Sequence, residues 1–171
     1  SHFDASKFKT RFGCELKNFN AIDFIDKKEI RKYDNYTIYS LVSTQEALIN
    51  SGIDLDNINK DNVGVIWGSG IGGINTFSKE IEGFVLGDGT PRFSPFFIPK
   101  MIADIAAGII SIKYGFRGPN FATVSACASS ANAIIDAFNY IRLGHASLFV
   151  CGGSEASITP AGVGGFNALK A

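Results

Sequence analysis

Thr123-Val124-Ser125-Ala126-Cys127-Ala128-Ser129-Ser130-Ala131-Asn132-Ala133 reads as a short β-prone run that ends at a cysteine, with an Ala-rich helix starting immediately after it. The N–H groups of a helix's first turn have no intrahelical acceptors and carry partial positive charge, which favours the thiolate of a cysteine placed there. Small neighbours leave the sulfur room to be reached. A cysteine among alanines is also an ordinary small buried hydrophobe. Residue type and placement leave both readings open, with Cys127 the candidate nucleophile.

Working outward, the helix after the cysteine runs to about Leu143, and residues 147–151 form a buried apolar strand closed by Gly152 and Gly153. Residues 167–171 look like the middle of a further helix, so the chain reads as a portion of something longer. Upstream, residues 115–119 turn the chain into the strand that leads to Cys127. Residues 100–114 read as one helix, and residues 92–99 as a proline-bounded aromatic loop. Residues 74–86 form a helix broken by the Gly87-Asp88-Gly89-Thr90-Pro91 cluster, and Val63-Gly64-Val65-Ile66-Trp67 is a strand buried on both faces. Before a polar connector at 54–62, Tyr36, Tyr39, Val42, Leu48 and Ile49 recur at helical spacing, with Gly52 as the stop. Asp26 caps a short helix through Lys32. Strands alternating with helices predict an α/β layered fold on a parallel or mixed sheet.

With 171 residues, 46% of them hydrophobic, the chain is long enough for one sizeable core. Sixteen basic residues balance sixteen acidic ones, so no global field recruits nucleic acid or an anionic membrane. No apolar run approaches the roughly 20 residues that span a bilayer, and the opening residues lack signal-peptide architecture. Cys14, Cys127 and Cys151 lack the paired spacing of a zinc site, and no metal is expected; three unpaired cysteines fit a reducing, cytoplasmic setting.

Four further signals bear on chemistry. Gly68-Ser69-Gly70-Ile71-Gly72-Gly73 satisfies GxGxxG between a strand and a helix, which raises a dinucleotide-binding module. No second strand ending in an acidic residue follows about 20 residues on, so tight strand-to-helix packing is the stronger reading. His2 and His145 read as surface residues, and neither supplies an evident activating base. Cys14 and Cys151 read as structural or incidental. Lys28, Arg31 and Lys32 share a helical face within a basic cluster, either a solvated surface or a dock for an acidic, phosphate-bearing partner.

Taken in order, 26–32, 68–73, Ser94-Pro95-Phe96-Phe97-Ile98-Pro99, 115–119, Ser125-Ala126-Cys127, Gly152-Gly153-Ser154-Glu155 and 162–166 resemble the condensing β-ketoacyl-acyl-carrier-protein synthases of the thiolase superfamily, nearest to the type II branch of bacterial fatty-acid elongation. The resemblance implies a five-layer αβαβα fold, of which this chain supplies most of the N-terminal half without its usual first strand. It makes Cys127 the nucleophile that takes an acyl group from acyl-carrier protein, ahead of decarboxylative Claisen condensation with malonyl-carrier protein. It assigns Ile71, Phe97, Ala126 and Phe166 to the substrate pocket, and Lys28, Arg31 and Lys32 to carrier-protein docking. No cofactor is implied, because phosphopantetheine arrives on the carrier. A homodimer is implied, with residues 120–124 near the second copy. The family's two catalytic histidines, the lysine beside them and the gating phenylalanine belong to a second half outside these residues. A polyketide-type ketosynthase shares the scaffold, and Cys127 argues against its cysteine-free chain-length partner. The Ser125-Ala126-Cys127 context argues against a degradative thiolase.

Overall fold

The computed structural model describes residues 3–170; His2 lies outside them. Among the described residues three parallel strands form a sheet: β1 (Val63–Gly68) in the centre, with β2 (Asn120–Thr123) on one side and β3 (Leu148–Gly153) on the other, in the order β2-β1-β3. All of β1 is buried, as its continuous apolar run predicts. β3 is half-buried along most of its length, a departure from the buried strand expected there, because it forms one edge.

Alternation along β1 assigns its two faces. Val63, Val65 and Trp67 join Tyr36, Ile38 and Leu41 of helix α2 (Asn35–Ser51) and Ala106, Ala107 and Ile110 of α5 (Ile105–Tyr114) in the main core. Ile66 points the other way, into a smaller cluster with Ala133 and Ala137 of α6 (Ser129–Arg142). Each fully buried Val or Ile contributes about 1.5–3 kcal/mol of transfer free energy. The same alternation turns Gly68 toward the start of α6. A Cβ there would lie 2.5 Å from the backbone carbonyl carbon and oxygen of Ser129, so the absent side chain is what lets helix and strand meet beside Cys127.

Sequence signals place several ends. Asp26 accepts from the Lys28 N–H at the start of α1 (Lys27–Ile30). Gly52 ends α2 in the left-handed region at φ 66°, which costs glycine nothing. Helix α3 occupies Ile74–Leu86 as expected. Ile49, one of the apolar residues recurring at helical spacing in α2, is 69% exposed.

Other expectations are corrected. α1 stops at Ile30, so Arg31 lies at its C-terminus and Lys32 beyond it. The aromatic loop at 92–99 gives way to α4 (Phe97–Met101), and the single helix expected at 100–114 is two, α4 and α5, separated by an extended Ile102 (ψ 136°). The break has a tertiary cause. The Ile102 carbonyl accepts the Tyr36 hydroxyl, and the Met101 carbonyl accepts the Gly73 N–H at 3.0 Å, so both face partners outside the helix. The last helix, α7 (Pro160–Ala168), finishes within the described residues, where a helix had been expected to continue to the end.

Candidate active site

β2 ends at Thr123, four residues before the cysteine, and α6 begins two residues after it. Cys127 therefore sits in a 3-10 turn, Ala126–Ala128, between strand and helix, which corrects the expectation of a direct junction. The turn is sharp. Ala126 has φ +50°, a left-handed conformation that costs a residue with a Cβ about 1–2 kcal/mol.

Buried hydroxyls and an amide hold that conformation. The Ser129 hydroxyl, 3% exposed, donates to the Ala126 carbonyl at 2.7 Å and accepts the Ser125 N–H at 2.9 Å. Asn132 Nδ2 donates to Ser125 Oγ at 2.7 Å, and Thr123 Oγ1 donates to the Ser129 carbonyl at 2.7 Å. Sequence reading did not single out Thr123, Ser129 or Asn132 for this work. Their signal is the interleaving of Ser, Thr and Asn with alanine at a helix start, where short polar side chains bond local backbone. The result is an exposed Cys127 thiol beside its own N–H, which meets no acceptor among the described residues.

A pocket of about 350 Å³ opens at the thiol, and Ile71, Ala126 and Phe166 line it together with Cys127. Three of the four residues assigned to the substrate pocket thus meet at Cys127. Phe97 does not line it: its ring stacks on Phe93 at 5.4 Å and on Phe77 at 6.3 Å, in an aromatic cluster between α3 and α4. A larger groove, about 1200 Å³, runs between the N-terminal segment, α2 and α3 and contains Cys14 but not Cys127. Burial pushes the Cys151 thiol up from its ordinary pKa, which disfavours its reactive form. His145 packs against Tyr140, 5.2 Å between rings, and is not among the pocket's lining residues.

The glycine loop is closed to phosphate by its own hydrogen bonds. The N–H groups of Gly70 and Ile71 donate to Glu155 Oε2 at 2.8 and 3.1 Å, that of Gly72 to Ser69 Oγ at 3.0 Å, and those of Ser69 and Gly73 to the carbonyls of Thr123 and Met101. A phosphate cradle needs these donors free. A Cβ at Gly73 would lie 2.1 Å from the Lys100 carbonyl oxygen, so close packing explains that glycine.

The basic cluster is partly spent internally. Lys32 Nζ lies 2.6 Å from Glu29 Oε1, and the Tyr33 hydroxyl donates to Glu29 Oε2 at 2.9 Å. Those bonds hold the Glu29 carboxyl below its usual range, first through Lys32 and then through Tyr33. Burial, then the Glu29 carboxylate, pushes Tyr33 up to about 12. Lys28 and Arg31 remain exposed with no ion-pair partner among the described residues.

A parallel α/β sheet carrying an exposed cysteine at a pinned strand-to-helix turn fits the N-terminal domain of a β-ketoacyl synthase. The chain belongs to the β-ketoacyl synthase family, whose N-terminal domain matches residues 4–171. It is 40% identical over 171 residues to the 3-oxoacyl-[acyl-carrier-protein] synthase 2 of Synechocystis sp. and 44% identical over 172 residues to that of Staphylococcus aureus; all of this chain and 41% of each relative are covered. The chain therefore spans less than half the length of these curated relatives. Among solved structures, it matches the AntDE:AntF assembly, described as a type II PKS acyl-carrier protein in complex with its ketosynthase bound to the hexaketide, with a TM-score of 0.85, 24% identity, and 91% of this chain and 44% of that one covered. A beta-ketoacyl synthase from Burkholderia phymatum STM815 gives a TM-score of 0.78 at 24% identity, over 90% of this chain and 38% of the other. These two likenesses show the ketosynthase fold.

Proposed function

We propose that this chain is the nucleophile-bearing part of a 3-oxoacyl-[acyl-carrier-protein] synthase of fatty-acid elongation. The observation that carries the reading is the Cys127 turn: an accessible thiol, a free N–H beside it, and Ile71 and Phe166 on the walls of one pocket. The Cys127 thiolate attacks the thioester carbonyl of an acyl chain borne by acyl-carrier protein. The Cys127 N–H receives the developing oxyanion, and the carrier's phosphopantetheine thiolate leaves with the electron pair of the broken C–S bond. The acyl-cysteine then meets the carbanion released when malonyl-carrier protein loses carbon dioxide. The new C–C bond frees Cys127 and lengthens the chain by two carbons. Groups that promote decarboxylation are not supplied by His145, which stands apart from the pocket.

Lys28 and Arg31 are the proposed contacts for the acidic carrier, with Lys32 contributing after exchange of its Glu29 partner. The enzyme acts without a cofactor of its own, in the cytoplasm, as a homodimer. Among the described residues β2 pairs only with β1, which leaves its other edge open and supports a second copy meeting residues 120–124 there. No helix among the described residues is long and apolar enough to cross a membrane.

The test is mass spectrometry with peptide mapping after exposure of the full-length protein to a medium-chain acyl-carrier protein, with Cys127→Ala as control. An acyl adduct on the Cys127 peptide, absent from the alanine variant, is the expected result. A folded protein that stays unmodified sinks the reading.

A further inference from the structure

Glu155 has no part in the chemistry above, yet its carboxylate occupies a specific place. It follows β3, and its backbone is anchored by the adjacent Ser154, whose hydroxyl donates to the Tyr36 carbonyl at 2.7 Å and accepts the Trp67 indole N–H at 2.9 Å. From there a single oxygen, Oε2, takes the N–H groups of both Gly70 and Ile71 across 85 and 84 residues of sequence. Two consecutive N–H donors converging on one charged acceptor fix the orientation of the peptide between them. That peptide aims Ile71 into the Cys127 pocket, which Glu155 also lines. A Cβ at Gly70 would stand 3.0 Å from the same carboxylate oxygen and 3.2 Å from the Ala126 carbonyl, so the turn lies between Glu155 and the cysteine turn with no slack. Ile71 itself is 42% exposed, so packing alone does not immobilise it.

We propose that Glu155 is a positioning residue that clamps the Gly70–Ile71 turn and thereby sets which acyl chain lengths the Cys127 pocket accepts. The inference rests on the acyl-transfer reading of that pocket. Its clamp depends on acceptor geometry: glutamine retains an acceptor oxygen at the same reach, whereas aspartate, one methylene shorter, does not span to both donors.

The experiment compares the full-length wild type with Glu155→Gln, Glu155→Asp and Glu155→Ala. Acyl loading of Cys127 is followed across carrier proteins bearing C4 to C16 chains, alongside amide hydrogen exchange at Gly70 and Ile71. Asp and Ala variants are expected to speed exchange at both amides by about tenfold and to change KM differently for short and long chains. Glutamine should restore both readouts. Iodoacetamide labelling of Cys127 reports the intact thiol and should stay constant across the series. The proposal fails if the Asp and Ala chain-length profiles overlay the wild type, or if Gln behaves as Ala does. Should alanine prevent folding, the Asp and Gln pair decides alone. Wild-type protein that never acylates Cys127 removes the acyl-transfer reading and this proposal with it, a result distinct from normal acylation with unmoved profiles.

Discussion

Replacing Gly68 with alanine tests the geometry that brings the cysteine turn to the sheet. The added Cβ would stand 2.5 Å from Ser129 C and O and 2.7 Å from Ser130 N, against the 3.4 Å where ordinary contact begins. Relief needs 3.4 − 2.5 = 0.9 Å of separation. The atoms that must yield are backbone at the start of α6, not a flexible side chain. Moving Ser129 draws its hydroxyl from Ser125 and Ala126, the bonds that hold Ala126 at φ +50° and aim Cys127. Overpacking of this kind costs about 1–3 kcal/mol, and a displacement near 1 Å at a reacting group costs about 100-fold in rate. Single-turnover acyl loading of Cys127 and chemical unfolding of the full-length protein measure the two effects. Gly108→Ala is the control: it lies within α5, a Cβ there meets nothing within 4 Å, and the change should stabilise by about 0.5–1 kcal/mol without touching the loading rate. Gly68→Ala that loads at the wild-type rate would refute the reasoning that this contact positions Cys127.

Other outcomes follow from the same structure. Asp34, 3% exposed, accepts the Tyr36 N–H at the start of α2 and both the N–H and hydroxyl of Thr76 in α3, at 2.9 and 2.6 Å, so Asp34→Ala should lower stability by about 2–4 kcal/mol in urea titration. A loss under about 0.5 kcal/mol would show that the two helices do not depend on it. Cys151 is held protonated by burial, so its alkylation rate should keep climbing with pH beyond the point where an ordinary thiol levels off. The sign follows from desolvation, which penalises the thiolate; a Cys151 profile that levels off below the ordinary thiol range contradicts it. Lys28→Glu with Arg31→Glu should raise KM for acyl-carrier protein by about tenfold or more at low salt while sparing loading from a small acyl thioester. Equal effects on both substrates would place these cations outside carrier docking.

Much of the fold was legible because local signals and tertiary demands agree. The apolar run of β1, the helix of residues 74–86, and the stops at Gly52 and Gly115 all appear where periodicity and glycine put them. Ile71, Ala126 and Phe166 line one pocket with Cys127. By itself, then, the sequence determined the alternation of strands and helices, the central buried strand and the cysteine as the reactive candidate. These depend on burial patterns and backbone preferences that act within a few residues.

The tertiary structure decided what depends on distant partners. Nothing local divides residues 100–114; carbonyls claimed by Tyr36 and Gly73 do. Ile49 fits a helical apolar face in sequence, but the fold leaves it 69% exposed. Lys32 is drawn to Glu29 and Phe97 into a stack with Phe93, so neither stands where its motif alone would put it. Most of all, a Gly-rich loop of nucleotide-binding pattern is filled by hydrogen bonds of its own, including a carboxylate from 85 residues away. A hydrogen bond spanning that separation leaves no periodic trace, because its two ends become neighbours only when parallel strands align β1 with β3.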